Sequence, residues 1–259
     1  MSTFLFDEVI FGPIHSRRLG ISLGVNVLPD NSKLCNFDCI YCECGWTHGQ
    51  LRQKQKFHPR EYIQQALEKR LAEMNAAGFN FDVITFAGNG EPTMHPDFEQ
   101  IIDDTIALRN KYFPAVKIAV LSNATLIHKR KINKALRKVD QNILKLDSVF
   151  EETIKAMNQP LGKIVIKRLV ENLEKFNGAL IIQTMFIRAN YNGKVIDNTT
   201  ETEIAAWLNA IKYISPKLVM IYTIARDTPA ADIEKISIEE LERIADRVKS
   251  LGIDVQVSG

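Results

Sequence analysis

Short apolar runs rich in Val, Ile and Phe alternate along this chain with longer stretches of helical period, and nothing else in the sequence constrains the fold as much. Strands buried on both faces read as near-continuous apolar runs, and helices between them return the chain so that the strands lie parallel. The runs are ISLGVNVL (21–28), FDVITFA (81–87), VKIAVLS (116–122), NILKLD (142–147), ALIIQTMFI (179–187), KLVMIYTI (217–224) and IDVQV (253–257). Helical patterns lie near 59–77, 96–111, 129–138, 163–176, 201–213 and 237–250. In the last of these Ile238, Leu241, Ile244, Ala245 and Val248 share one face, as in a helix packed on a sheet. Six βα units fall short of the eight in a closed barrel, which leaves a partial barrel or an open doubly wound α/β sheet. No Pro, Ser or Gly-rich linker interrupts the alternation, so a single domain over 1–259 is expected. In either architecture functional groups gather in loops at the carboxyl ends of the strands.

Composition narrows the class. With 46% hydrophobic and 25% charged residues and Lys+Arg 33 against Asp+Glu 31, the chain is neither disordered nor a polybasic nucleic-acid coat. No apolar run approaches the roughly 20 residues that span a bilayer, and Asp7 and Glu8 follow the first apolar patch where a secretory signal would continue. The expectation is a soluble cytoplasmic protein with no membrane contact. Thiols stay reduced there, so cysteines are read first as metal ligands or catalytic groups.

All four cysteines, Cys35, Cys39, Cys42 and Cys44, fall within SKLCNFDCIYCECGW, directly after the first apolar run. A structural zinc site usually takes four ligands from two separated C-x2-C knuckles, and no second pair follows downstream. A cubane of four irons and four sulfides can be held by three thiolates with one iron left open, and dense, short-spaced cysteines favour it over zinc.

CNFDCIYC resembles the C-x3-C-x2-C signature of the radical S-adenosylmethionine (radical SAM) superfamily, including the aromatic residue before the third cysteine, here Tyr41. GNGEP (88–92), after the second run, is similar to the family's Gly-Gly-Glu-Pro motif. Glycines suit such a loop because the backbone must approach a ligand closely. The resemblance implies that Cys35, Cys39 and Cys42 ligate one [4Fe-4S] cluster. The methionine part of S-adenosylmethionine would chelate the open iron. Tyr41 would lie by the adenine, Gly88, Gly90 and Glu91 would receive the methionine amino group, and Asn123 would contact the ribose. The fold implied is a partial (β/α)6 barrel with the cluster-binding loop after the first strand. Asp147 and Tyr222 close two further strands at the same mouth.

The activity implied is reductive cleavage of S-adenosylmethionine to a 5′-deoxyadenosyl radical that abstracts a substrate hydrogen, fed by a reducing electron donor. SRRLGISLGVNVLP, NGEPT and YTIARDTP look most like the branch related to wyosine synthetases, which implies modification of a transfer RNA nucleoside. Wyosine enzymes of archaea and eukaryotes carry a second cluster, whereas three ligands taken from four cysteines leave only Cys44. Two further readings are an activase or peptide-modifying enzyme of the same superfamily, and a non-catalytic zinc or cluster-binding module.

HKRKINKALRK (128–138) has six Lys or Arg and LRQKQKFHPR (51–60) has four. With Arg17 and Arg18 they could form a local surface for phosphate backbones, although solvated helix faces are the commoner use of such runs. His15, His48, His58, His95 and His128 show no metal-binding period and read as surface or turn residues.

Overall fold

A computed structural model describes residues 4–47 and 57–259. In chain order the strands are β1 (Ile10–Ser16), β2 (Gly20–Val25), β3 (Val83–Phe86), β4 (Lys117–Ser122), β5 (Gln141–Lys145), β6 (Ile181–Met185), β7 (Ile187–Tyr191), β8 (Lys194–Asp197), β9 (Leu218–Tyr222), β10 (Ile233–Lys235) and β11 (Val255–Ser258). The helices are α1 (Arg60–Ala76), α2 (Phe98–Tyr112), α3 (Arg130–Leu136), α4 (Glu151–Met157), α5 (Ile166–Glu174), α6 (Glu201–Ile214) and α7 (Ile238–Lys249).

One sheet runs β1-β2-β3-β4-β5-β6-β9-β11, parallel throughout except for the β1–β2 hairpin, and it curls into a half-barrel. The period-2 alternation of side chains decides what each face becomes. Ile84, Phe86, Ile118, Val120, Leu144, Ile182, Val219 and Ile221 point outward into the large core shared with the helices. Val83, Ala119, Ile143, Ile181 and Met220 point inward and form a smaller apolar floor. A doubly wound sheet would place helices on both faces. Here the inner face is closed by curvature instead. The turn between β1 and β2 reaches the last strand, where Gln256 Nε2 donates to the Arg18 carbonyl at 3.2 Å.

Each of the seven apolar runs supplies a strand of this sheet, and each of the six helical patterns holds a helix. Three differences have physical causes. The cysteine loop follows β2, the first parallel strand but the second strand of the chain. β1 carries Gly12 and Pro13 at a register break, which an edge strand tolerates and an apolar-run reading passes over. The run 179–187 is two strands, because Phe186 leaves β6 to pack against Trp207 and β7 starts a separate small sheet in the order β10-β7-β8. That hairpin turns at Asn192 and Gly193, both at positive φ, the signature of a two-residue turn. Among the described residues no helix is long and apolar enough to cross a membrane.

Candidate functional site

Above the apolar floor the inward positions change character. Leu121 on β4, Lys145 on β5, Gln183 on β6 and Tyr222 on β9 line a cavity of about 200 Å3 with the cysteine loop, Gly88, Gly90, Glu91, Ser122 and Asn123. Apolar residues anchor the strands, and polar ones collect where the strands end.

The cysteine loop is fastened to the loop after β3. The Leu34 N–H donates to the Asn89 carbonyl at 2.7 Å, and the Glu91 N–H donates to the Leu34 carbonyl at 3.0 Å. Gly90 sits between them at φ 138°, and a Cβ there would stand 1.9 Å from the Leu34 oxygen. Only glycine fits so close an approach. Gly88, at φ 150°, lies against Asn26. Inside the loop, Lys33 is buried and its Nζ donates to Asp38 Oδ1 at 3.0 Å and the Gly45 carbonyl at 2.7 Å. Burial works against this ammonium, but Cys42, Cys35, Cys39 and Asp38 outweigh it and hold its pKa above the usual lysine value.

Cys35 and Cys39 are buried and Cys42 half-buried, and all are free thiols. The Phe37 N–H donates to Cys35 Sγ at 3.4 Å, and Asn158 Nδ2 donates to Cys39 Sγ at 3.4 Å. Burial pushes the Cys35 and Cys39 thiols up, whereas the adjacent Cys44 thiol holds Cys42 down at about 6. Cys44 Sγ also reaches the Gly88 carbonyl at 3.2 Å. Two buried thiols kept protonated by their surroundings become ligands when a cation supplies the missing positive charge. Among the described residues no three His, Cys, Asp or Glu side chains are placed to hold one metal ion, as a mononuclear zinc site would need. A cluster, in which each thiolate meets its own iron, suits this donor set better.

Glu91 is buried and, among the described residues, satisfied by neutral donors alone. Ser122 Oγ donates to its Oε1 at 2.9 Å, the Asn123 N–H to its Oε2 at 2.6 Å, and the Thr93 N–H and hydroxyl both to Oε1. It also caps the short 3-10 turn Pro92–Met94. Burial pushes its carboxyl pKa up. A carboxylate held in place this way, at a cavity wall with no cation bonded to it among the described residues, is prepared to receive an ammonium group. The Asn123 carboxamide is engaged: Nδ2 donates to Asn36 Oδ1 at 2.7 Å and Oδ1 accepts from the Thr125 N–H at 3.0 Å.

Behind Cys39, Asp147 accepts from the Tyr41 hydroxyl, from Asn158 Nδ2 at 2.8 Å and from Lys145 Nζ at 3.2 Å, with its other oxygen on the Met185 N–H at 3.0 Å. Lys145 Nζ also donates to the Tyr41 oxygen at 2.8 Å. Burial opposes its charge, and Asp147 overrides burial to keep the pKa raised. An ammonium carries three protons, so one remains for the cavity that Lys145 lines.

The sequence reading thus names side chains that meet at one cavity: the three cysteines, Tyr41, Gly88, Gly90, Glu91, Asn123 and Tyr222. It passes over Lys33, Lys145 and Asn158. A lysine inside the apolar run NILKLD is a visible signal for Lys145, whereas Asn158 sits in a loop with none. The basic stretch 128–138 is partly spent on ion pairs, Lys134 with Glu99 and Lys138 with Asp103, leaving Lys129, Arg130 and Lys131 exposed. Residues 51–56 of the other stretch, and His48, lie outside the described residues. Arg17 is exposed, but Arg18 turns inward over the Tyr222 ring, 4.4 Å from its centroid, and is no part of a surface patch.

Residues 32–197 match the family model described as the Radical SAM superfamily. A UPF0026 protein of Methanocaldococcus jannaschii is 29% identical over 240 residues, covering 91% of this chain and 70% of the relative. Among solved structures, a radical SAM methyltransferase from Sphaerobacter thermophilus superposes with a TM-score of 0.66 at 14% identity, covering 92% of this chain and 65% of that one. Streptococcus suis SuiB bound to its precursor peptide SuiA gives 0.64 at 16%, covering 91% and 48%. TYW1 with a lysine-pyruvate adduct gives 0.62 at 13%, covering 90% and 74%. At these identities the solved structures speak for the fold alone.

Proposed function

The chain belongs to the radical SAM superfamily, whose members use a [4Fe-4S] cluster and S-adenosylmethionine, and from this premise we propose that it modifies a transfer RNA nucleoside by hydrogen abstraction. When bound, cluster and cofactor together supply one-electron cleavage of the sulfonium carbon–sulfur bond, giving methionine and a 5′-deoxyadenosyl radical, with the electron drawn from a reducing donor. One observation carries the reading. Glu91, fixed by four neutral donors and, among the described residues, facing no cation, shares a cavity with the four free cysteines of a loop strapped to its own backbone.

Cys35, Cys39 and Cys42 hold the cluster. Lys33 fastens both ends of their loop and offsets thiolate charge. Glu91 receives the cofactor's ammonium, and Lys145, with its remaining proton, takes the carboxylate. Gly88 and Gly90 let the backbone approach, Tyr41 forms the wall for the adenine, and Asn123 stands beside Glu91 on the ribose side. The apolar floor below keeps water from the reacting centre. Four cysteines provide for one cluster and a spare thiol. The protein acts in the cytoplasm as one catalytic domain.

The transfer RNA assignment is supported by the motif resemblance to the wyosine-related branch and by the exposed cations Lys129, Arg130 and Lys131 beside the mouth. The test compares 5′-deoxyadenosine formation by reconstituted protein with transfer RNA and with peptide fractions. Stimulation by RNA that falls on neutralising those three residues supports the reading. Stimulation by peptides alone replaces it with a peptide-modifying activity.

A further inference from the structure

On the outer side of the barrel a groove begins at the cysteine loop and continues between α3 and α5. Its head, about 460 Å3, is lined by Asn36 and Phe37 of that loop, by Thr125 and His128 after β4, and by Lys163 and Arg168 around the start of α5. A second crevice of about 650 Å3 shares His128 and Asn172 with the head and lies between the two helices. The loop that leads into α5 is bound to the outside of the cysteine loop: Phe37 and Pro160 pair as an isolated antiparallel bridge, and the Leu161 N–H donates to the Asn36 carbonyl at 3.0 Å. Phe37 lines both the groove head and the cysteine cavity, so one residue separates the two.

Every Lys, Arg, Asp or Glu that lines this groove is a cation. Arg130, Lys134, Arg137 and Lys138 come from α3 and its end, and Lys163, Arg168 and Lys175 face them from the α5 side. With Lys+Arg 33 against Asp+Glu 31 in the whole chain, a groove of one sign is a local arrangement and not a consequence of net charge. Lys134 and Lys138 are paired with Glu99 and Asp103 of α2, and Arg137 is engaged by Asn133 and the Phe176 ring. Among the described residues no carboxylate lies within ion-pair distance of Arg130, Lys163, Arg168 or Lys175. The undescribed residues 1–3 and 48–56 contain no Asp or Glu. Like charges lining a concave wall repel one another and focus their field into the groove, a cost that a bound polyanion removes.

The cations are spread along both walls and not gathered at one point, which suits a chain of regularly spaced phosphates better than a single anion. α3 and α5, of seven and nine residues, give walls roughly 10–14 Å long at 1.5 Å per residue. A flat anionic membrane would meet only the rims of a concave groove. We propose that an RNA strand lies between α3 and α5 with its phosphates on the facing cations, and passes over the Phe37 side of the cysteine loop to bring its target nucleoside to the mouth. Contacts of this kind position a strand and do not read its sequence. The groove rests on the preceding subsection for the fate of the nucleoside. It adds a second wall, the α5 side, to the α3 cations already considered there.

The test measures binding of end-labelled bulk transfer RNA to the anaerobically reconstituted full chain, by fluorescence anisotropy over a range of salt concentrations. For a single strand, log K falls with log salt by roughly 0.7 for each phosphate neutralised. The groove variant combines Lys163→Gln, Arg168→Gln and Lys175→Gln, all outside the basic stretches 51–60 and 128–138. It should bind at least roughly 10-fold less tightly at about 0.1 M salt, with a slope shallower by about 2. Replacing Lys69, Lys212 and Arg243 by Gln instead, exposed cations of α1, α6 and α7, removes the same charge and should leave both values near wild type. Should the triple groove variant fail to fold, Arg168→Gln alone should lower the slope by about 0.7. No salt-dependent RNA binding in wild type, or equal losses in the two triple variants, overturns the groove. Polyglutamate bound more tightly than RNA, with the same loss in the groove variant, overturns RNA as its occupant. 5′-Deoxyadenosine formation separates the two claims: RNA held in the groove without stimulating it refutes the nucleoside modification alone, and stimulation undiminished in the groove variant refutes the groove alone.

Discussion

Leu34 and Gly90 pair as an isolated parallel bridge, and through it the backbone that carries the first cysteine is joined to the backbone that carries Glu91. Two motifs separated by some fifty residues of sequence are one structural unit at this point. Gly90→Ala places a methyl carbon 1.9 Å from the Leu34 carbonyl oxygen, at a φ of 138° that side chains rarely adopt. The expected cost is about 1–3 kcal/mol or more from overpacking alone. Urea denaturation should report it, together with a lower iron content after reconstitution. Wild-type stability and iron loading in the variant would contradict the strap.

Cluster ligation divides the four cysteines three to one. Anaerobic reconstitution should load about four irons per chain in wild type, and Cys35→Ala, Cys39→Ala and Cys42→Ala should each lose them. Cys44→Ser should load normally, because Cys44 turns to the Gly88 carbonyl at 3.2 Å. Iron loss in the Cys44 variant equal to that in the others would assign it a ligand role instead.

Asp147 anchors a buried network of Tyr41, Lys145 and Asn158. Asp147→Asn keeps the shape but leaves the Lys145 ammonium without its counter-charge. Breaking one partner of a buried pair costs about 3–5 kcal/mol, discounted here toward the lower end because Lys145 faces the cavity. Equilibrium unfolding that shows less than about 1 kcal/mol would mean that solvent in the cavity already screens the pair.

His95 sets a pH dependence of folding. Its Nε2 donates to the His58 carbonyl at 2.9 Å and its Nδ1 accepts from the Asp97 N–H at 3.0 Å, so the neutral ring satisfies both partners. A second ring proton would face the Asp97 N–H. Burial accordingly lowers the His95 pKa below 6.5. With the folded pKa depressed, the unfolded chain binds more protons at acid pH. Stability from this group is present above about 6.5 and is lost as pH falls through that value toward the folded pKa. Urea midpoints at pH 7.5 and 5.5 should therefore diverge more in wild type than in His95→Gln. Parallel loss in both would place the acid sensitivity elsewhere.

Much of the fold was legible because apolar strands and amphipathic helices write themselves locally. Ile238, Leu241, Ile244, Ala245 and Val248 face one way in sequence, and all but Ile238 are buried in α7. The small β10-β7-β8 sheet was less visible, although Asn192-Gly193 marks its hairpin. The cysteine and GNGEP motifs identify a site because their chemistry is concentrated in few residues. Arg18 was legible only as a cation. Its place on Tyr222 depends on the curl that brings the first hairpin to the last strand, and no local pattern encodes that closure. Lys33 and Asn158 are hidden for the same reason, since their partners come from the tertiary fold.

Glu91 bears most directly on the central claim, and Glu91→Gln is the variant that tests it. Reconstituted wild type and variant, matched for iron and sulfide, are given S-adenosylmethionine and a low-potential reductant, and 5′-deoxyadenosine is measured over a range of cofactor concentrations. Wild type should form 5′-deoxyadenosine and methionine together. The variant should keep its iron but require roughly 10- to 100-fold more cofactor, the loss expected for a charged hydrogen bond to an ammonium group. Fully loaded wild type that leaves S-adenosylmethionine intact, or a Glu91→Gln variant indistinguishable from it, would contradict the account.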